Sequence, residues 1–323
     1  KERIIKCFDK FIDVSSKSDQ EISELSKKFK IDIAIDLMGF TKSNRFGIFL
    51  KRCAPIQINY LGYPGTLGSD SVDYIIGDKT IISKENAKYF TEKIIYLPDT
   101  YQANDSRKQI STKKFHRKDF NLPNDQFVFC CFNKKYKLDP NTFNLWINIL
   151  KKVPNSVLWL LDENNTSTKN IFNEAKIRGI KPDRIIFAKS MPMEEHLARQ
   201  KLADLFLDTF PYGAHTTCSD ALWVGLPLIT KKGESFASRV SSSLLKSIGM
   251  DELITTSNDE YEQLAIELAN NKEKIKLIQK KLVENIKNKP LFNTNLYTLN
   301  LEKAFKKVYE NCLKNIPKSN IEV

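Results

Sequence analysis

Residues 127–140 read FVFCCFNKKYKLDP, and this stretch decides the fold. Phe127–Phe132 is an apolar run of strand length. Asp139 then supplies a helix N-cap with Pro140 at the first helical position, and Phe143, Trp146, Ile147, Leu150 and Val153 recur on one helical face. A strand buried along its whole length, followed by an amphipathic helix, is the unit of a parallel sheet. The same unit repeats downstream. Strands are expected at Ser156–Leu161, Arg184–Ala188, Asp204–Asp208, Pro227–Thr230 and Leu253–Thr255. Helices are expected at Ser167–Arg178, Pro192–Lys201, Thr216–Val224 and Ser235–Ile248, three of them ended by Gly179, Gly225 and Gly249. Six strands with intervening helices predict a doubly wound α/β domain with right-handed crossovers.

Upstream, the pattern is the same but sparser. Strand candidates are Ile33–Leu37, Ile56–Leu61, Tyr74–Ile76 and Ile94–Leu97, with helices at Asp19–Phe29, Arg45–Lys51 and Ser83–Phe90. Asn104–Lys118 is polar, charged and without periodicity, which puts a linker there. Thr294–Leu313 reads as one long helix, with Tyr297, Leu301, Phe305, Val308 and Cys312 spaced by three and four. The expected domains are residues 1–117, a partial Rossmann-like domain with linker, and 118–316, which ends in the long helix, followed by a tail at 317–323. The chain starts at Lys1 without a leader, and its first half is short of strands. We therefore expect a piece of a longer chain.

Composition narrows the function. At 323 residues and 41% hydrophobic, the chain can bury two cores, and it has no apolar run of membrane-spanning length. Its six cysteines are scattered without a C-x-x-C pair, which argues against a zinc site or disulfide scaffold and fits a reducing, cytoplasmic compartment. The net charge of +12 falls largely on Arg107–Lys118 and Lys272–Lys289, where it reads as linker and solvated helix faces. No nucleic-acid recognition signature accompanies it, so no nucleic-acid partner is expected.

Open α/β sheets bind ligands at the carboxyl ends of their strands. After the first strand of the second domain, Lys137 can meet a phosphate as a point charge, or simply be solvated. After the third, His196 and Arg199 lie on the first turns of a helix. After the fourth, His215, Thr216 and Thr217 stand where a helix starts, so free N–H groups, hydroxyls and the positive dipole end suit a pyrophosphate. Asp220 sits four residues past Thr216, spaced to accept hydrogen bonds from a ribose diol. No D-x-D triplet occurs, and no metal site is expected.

Longer strings resemble a known family. Leu61-Gly62-Tyr63-Pro64-Gly65-Thr66, Tyr136-Lys137-Leu138-Asp139-Pro140, residues 153–161 (VPNSVLWLL), His215-Thr216-Thr217, Ala237-Ser238-Arg239-Val240 and Pro290-Leu291-Phe292-Asn293-Thr294 are similar to the catalytic region of protein O-linked N-acetylglucosamine transferases of the SPINDLY-like group. The similarity runs from about Ile31 to about Tyr309. It implies a GT-B glycosyltransferase, with two Rossmann-like domains facing a cleft, that moves N-acetylglucosamine from UDP-GlcNAc to Ser or Thr hydroxyls of a protein or peptide acceptor with inversion, without a metal. By that resemblance, Lys137 contacts the diphosphate, His196 packs on the uracil with Arg199 behind it, Thr216 and Thr217 hold phosphate oxygens, and Asp220 binds the ribose. Leu61, Gly62 and Pro64 border the sugar.

The chain also departs from the family's pattern. Lys134 stands where a glutamine is common at the diphosphate. Met191 replaces a small residue whose backbone reads the base, and Met193 replaces a lysine near the ribose. Asp32 falls where animal enzymes carry a histidine. Asp36, at the carboxyl end of its strand, is the better-placed carboxylate, either catalytic or a loop anchor. Two alternatives stay open: a transferase of another nucleotide sugar such as GDP-fucose, and a degenerate nucleotide-sugar-binding module.

Overall fold

The computed structural model describes residues 2–323. Eleven strands occur among them: β1 (Ile33–Asp36), β2 (Ile56–Asn59), β3 (Tyr74–Gly77), β4 (Lys93–Tyr96), β5 (Phe127–Cys131), β6 (Ser156–Leu161), β7 (Ile185–Ala188), β8 (Leu205–Leu207), β9 (Leu228–Lys231), β10 (Ile254–Thr255) and β11 (Ile321–Glu322). The chain divides into two compact units. The first is Lys1–Gly77, Lys84–Leu97 and Asn300–Val323, and the second is Asp78–Ser83 with Pro98–Leu299.

The second unit holds a six-stranded sheet in the order β10-β9-β8-β5-β6-β7, with every pairing parallel. In chain order this is 6-5-4-1-2-3, the doubly wound arrangement whose order reverses between its first and fourth strands, here β5 and β8. The helix over Pro140–Lys152 forms because Asp139 caps it, its carboxylate accepting from the Thr142 amide at 2.7 Å ahead of proline in the first turn. Its predicted apolar face, Phe143, Trp146, Ile147, Leu150 and Val153, is buried. Phe129 and Phe206 on β5 and β8 are fully buried with Trp159 on β6, so the centre of this sheet is covered on both faces.

The first unit holds the all-parallel sheet β1-β2-β3-β4-β11. All four expected strands are present, and the 317–323 tail adds a fifth. Ile321 pairs with Ile95, the Asn320 side chain accepts from the Ile94 amide at 2.9 Å, and Lys318 forms an ion pair with Asp73. Two-residue strands carry too little pattern to be read from sequence. The expected helix at Ser83–Phe90 is only a short 3₁₀ turn at Ala87–Tyr89. The expected Ser235–Ile248 helix is a 3₁₀ turn at Phe236–Ser238 followed by a helix at Val240–Ser247.

The boundary expected at residue 117 is replaced by a division near Leu97, because Asn104–Lys118 is tied into the second unit. The long helix, Thr294–Leu313, is present as expected, and the division falls within it, after Leu299. No helix among the described residues is long and apolar enough to cross a membrane.

Candidate functional site

In sheets of this topology, ligands bind at the carboxyl ends of the strands where the order reverses, here β5 and β8, and the loops after these strands carry the local chemistry. Asp208 organises them. It is fully buried just past β8, where Oδ1 accepts from the amides of Thr209 (2.8 Å) and Ala214 (2.6 Å) and from the Asn133 side chain (3.2 Å), and Oδ2 accepts from the Thr230 hydroxyl (2.7 Å). Burial pushes its carboxyl up from the ordinary carboxylate range, against these hydrogen bonds. A Cβ on Gly213 would lie 3.1 Å from Asp208 Oδ2, so a bare backbone fits best there.

The loop folded in this way positions the predicted cation. Lys137 Nζ donates to the Gly213 carbonyl at 2.8 Å and lies 4.2 Å from the centre of the Tyr212 ring. Burial lowers its pKa, partly offset by the charge of Asp208. His215 stacks on Tyr212 with ring centroids 5.0 Å apart, and its Nε2 donates to the Ala237 carbonyl at 3.2 Å. Burial first, and the Lys137 charge second, lower its pKa to about 4, so this imidazole is neutral near pH 7. His215 precedes the helix over Thr216–Trp223, whose first turn no side chain caps. Thr216 is exposed there, while Thr217 donates its hydroxyl to Asn133 Oδ1. Lysine ammonium, helix N-terminus and threonine hydroxyls thus line one loop system, an arrangement that can bind an anion.

A second cluster follows β7 on the helix over Met193–Gln200. Arg199 Nε donates to His196 Nδ1 at 3.0 Å, and Nη1 donates to the Lys189 carbonyl at 2.6 Å. Its guanidinium is buried against Phe120, Phe132 and Trp159, and Nη2 has no hydrogen-bond partner among the described residues. Burial, then the Arg199 charge, bring the His196 pKa down to about 4. With Nδ1 accepting, the neutral ring keeps its proton on Nε2. It meets Phe132, which is itself buried, edge to face at 5.0 Å, and the half-buried His196 ring is an aromatic plane of the kind a base can stack on.

Among the other expected residues, Asp220 is buried and forms an ion pair with Lys108. Lys134 is largely exposed and pairs with Glu163 at 3.1 Å. Met191 is half-buried just before the His196 helix. Asn133, Asp208, Tyr212 and Lys108 belong to the site without having been singled out from sequence. The strand-end position of Asn133 and Asp208 was the one available signal for them.

In the first unit, Asp36 is buried at the carboxyl end of β1. Its Oδ1 accepts from the amides of Met38 (2.8 Å) and Gly39 (3.0 Å), which is the loop-anchor geometry, while the buried Oδ2 has no partner among the described residues. Asn59, paired with Asp36 across β1 and β2, ties down the next loop through the Gly65 carbonyl at 3.0 Å, and its own buried Oδ1 has no partner among the described residues. That loop carries Leu61, in a left-handed conformation at φ +69°, then Gly62 and Pro64. A side chain on Gly62 would run into the Leu37 carbonyl, so glycine lets the two loops touch. Asp32, by contrast, precedes β1 at the opposite, amino end of the sheet. A groove of about 810 Å³ in the second unit, lined by Asp139, Phe210, Pro211, Lys231 and Ser235, holds none of the expected site residues. Among the described residues no group of three or more His, Cys, Asp or Glu could hold a metal ion.

Known proteins share this architecture. The chain is 40% identical over 93% of its length to the probable UDP-N-acetylglucosamine–peptide N-acetylglucosaminyltransferase SEC of Arabidopsis thaliana, of which the match covers 31%. It is 28% identical over 94% of its length to the corresponding SPINDLY protein of Petunia hybrida, of which 33% is covered. The chain thus spans about a third of the length of these curated relatives. A solved O-GlcNAc transferase mutant of Thermobaculum terrenum superimposes with a TM-score of 0.87 at 26% identity, covering 98% of this chain and 60% of that one, and the two Rossmann-like units are of the GT-B type. The family model for glycosyl transferase family 41 matches residues 1–115 and 106–301, and the chain belongs to that family.

Proposed function

We propose that the chain is the catalytic region of a transferase that moves N-acetylglucosamine from UDP-GlcNAc to Ser or Thr hydroxyls of a protein acceptor with inversion. One observation carries this reading: Lys137 and the uncapped helix start at Thr216 and Thr217 converge where the strand order reverses between β5 and β8. The names of the SEC and SPINDLY relatives supply the donor and the class of acceptor.

In this reading the diphosphate lies against Lys137, Thr216 and Thr217, and the uracil packs on the His196 ring. The acceptor hydroxyl attacks the anomeric carbon as the bond to the diphosphate breaks. Negative charge grows on the leaving UDP, where the ammonium and the helix end are already oriented to receive it. Leu61, Gly62 and Pro64 border the sugar, and the free Oδ2 of Asp36 is the carboxylate oxygen assigned to the acceptor's proton. No metal enters this mechanism, and a reducing, cytoplasmic compartment suits the free cysteines among the described residues.

The test is incubation with a panel of UDP- and GDP-sugars and an acceptor peptide, with and without EDTA, following nucleotide release and thermal stabilisation. UDP release from UDP-GlcNAc that survives EDTA is expected. Preferential turnover of GDP-fucose would replace the donor, and stabilisation without release would reduce the chain to a binding module.

A further inference from the structure

Lys108 lies in the polar stretch that the sequence presents as a linker, yet its ammonium pairs with Oδ1 of Asp220. The Asp220 side chain is 5% exposed and that of Lys108 is 25% exposed, so this is not a surface pair. The backbone around Lys108 is fixed to the helix that carries Asp220. The Trp223 indole donates to the Lys108 carbonyl at 3.1 Å, and the Ser219 hydroxyl donates to Asn104 Oδ1 at 2.6 Å. Further along, the Ser111 amide donates to the Glu194 carbonyl at 3.0 Å, and Lys113 approaches Glu195 at 3.6 Å. Residues 104–113 therefore form a strap across the two helices that carry His196 and Asp220.

A buried carboxylate beside an anion site poses an electrostatic problem. Any phosphate that enters is repelled by it unless a cation balances the charge. Lys137 is held by Gly213, and among the described residues Lys108 is the cation paired with Asp220. It occupies Oδ1, and Oδ2 carries no hydrogen bond among the described residues. A carboxylate held by one oxygen and open at the other has the form needed to accept from a diol.

We propose that Lys108 is a positioning residue of the nucleotide site, which orients the Asp220 carboxylate and balances its charge so that a ribose diol and a diphosphate bind together. This rests on the donor being UDP-linked and on Asp220 facing its ribose.

The experiment is a double-mutant cycle on UDP affinity, read by calorimetry with the full chain: Lys108→Met, Asp220→Asn and the pair, with Lys108→Arg as the conservative variant and thermal unfolding as a folding check. Lys108→Met is expected to weaken UDP about tenfold, as loss of a charged hydrogen-bond partner does. Lys108→Arg should restore most of the affinity. In the Asp220→Asn background, Lys108→Met should change affinity less than about twofold, since its partner's charge is already gone. Unchanged or tighter UDP binding by Lys108→Met, or losses that add fully in the double variant, would overturn the inference and leave the donor reading standing. Failure of the unaltered chain to bind UDP would overturn both.

Discussion

Past β8, Asp208 spends both carboxylate oxygens on the protein itself, holding Thr209, Ala214, Asn133 and Thr230. Past β1, Asp36 spends one oxygen on Met38 and Gly39, and its other, buried oxygen meets no partner among the described residues, like the side-chain oxygen of its neighbour Asn59. The two strand ends use the same device, a buried carboxylate that ties down a loop, with different outcomes. A saturated carboxylate is scaffold: it fixes where Lys137 and the Thr216 helix point. A carboxylate oxygen that no described protein group meets can accept from a donor, a hydroxyl or a water. In the reading proposed above, the second unit supplies the anion site and the first unit the acceptors for hydroxyl chemistry.

The contrast predicts a steep difference in stability. Asp208→Ala strands several buried donors at once and should cost about 3–5 kcal/mol. All three tryptophans, Trp146, Trp159 and Trp223, lie in the second unit, so the urea midpoint of tryptophan fluorescence reads this directly. A loss below about 1 kcal/mol would deny Asp208 its organising role.

Next in size is the effect on catalysis. Lys137→Ala should lower kcat by about 10²–10³ while UDP affinity changes far less, because charge on the leaving group is greatest in the transition state. Parallel losses in kcat and affinity would make Lys137 a binding residue only.

The histidines extend the contrast to pH. All three histidines of the chain, at 116, 196 and 215, lie in the second unit. His196 and His215 have pKa values of about 4 when folded, against an ordinary value of 6.5. Between pH 6.5 and 4 the unfolded chain binds protons that the folded chain refuses, so stability falls as pH drops through that window. Each contributes on the order of 2–3 kcal/mol by pH 4. His196→Gln should flatten the slope of tryptophan-detected stability in this window, and an unchanged slope would mean that the imidazole is not held neutral by burial.

Smallest is the effect at Asp36. Asp36→Ala removes two hydrogen bonds to backbone amides and should cost about 1–2 kcal/mol, seen as loss of hydrogen-exchange protection at Met38 and Gly39 with the tryptophan signal unmoved.

Much of this was legible in the sequence, for local reasons. The strands of the second unit announce themselves because apolar runs alternate with capped helices, and Asp139 with Pro140 marks a helix start within a few residues. Lys137, His196, Thr216, Thr217 and Asp220 could be singled out as candidates because ligands gather at strand ends. The rest depends on partners far away in sequence. Residues 321 and 322 become a strand only by pairing with β4. Lys108 looks like one more solvated lysine until Asp220, 112 residues on, takes its charge. Asp208 reads as the end of a strand, with nothing local to say that four groups from two loops and a neighbouring strand converge on it.

In the proposed reading, nucleotide binds at the strand ends of the second unit and leaves the acceptors of the first unit to the sugar and the acceptor. Hydrogen exchange of the chain with and without UDP tests it most directly. The account predicts new protection at residues 132–137, 190–199 and 208–220, with residues 36–40 and 59–65 unchanged. Protection confined to 36–40 and 59–65, with none along the Thr216 helix, would contradict it.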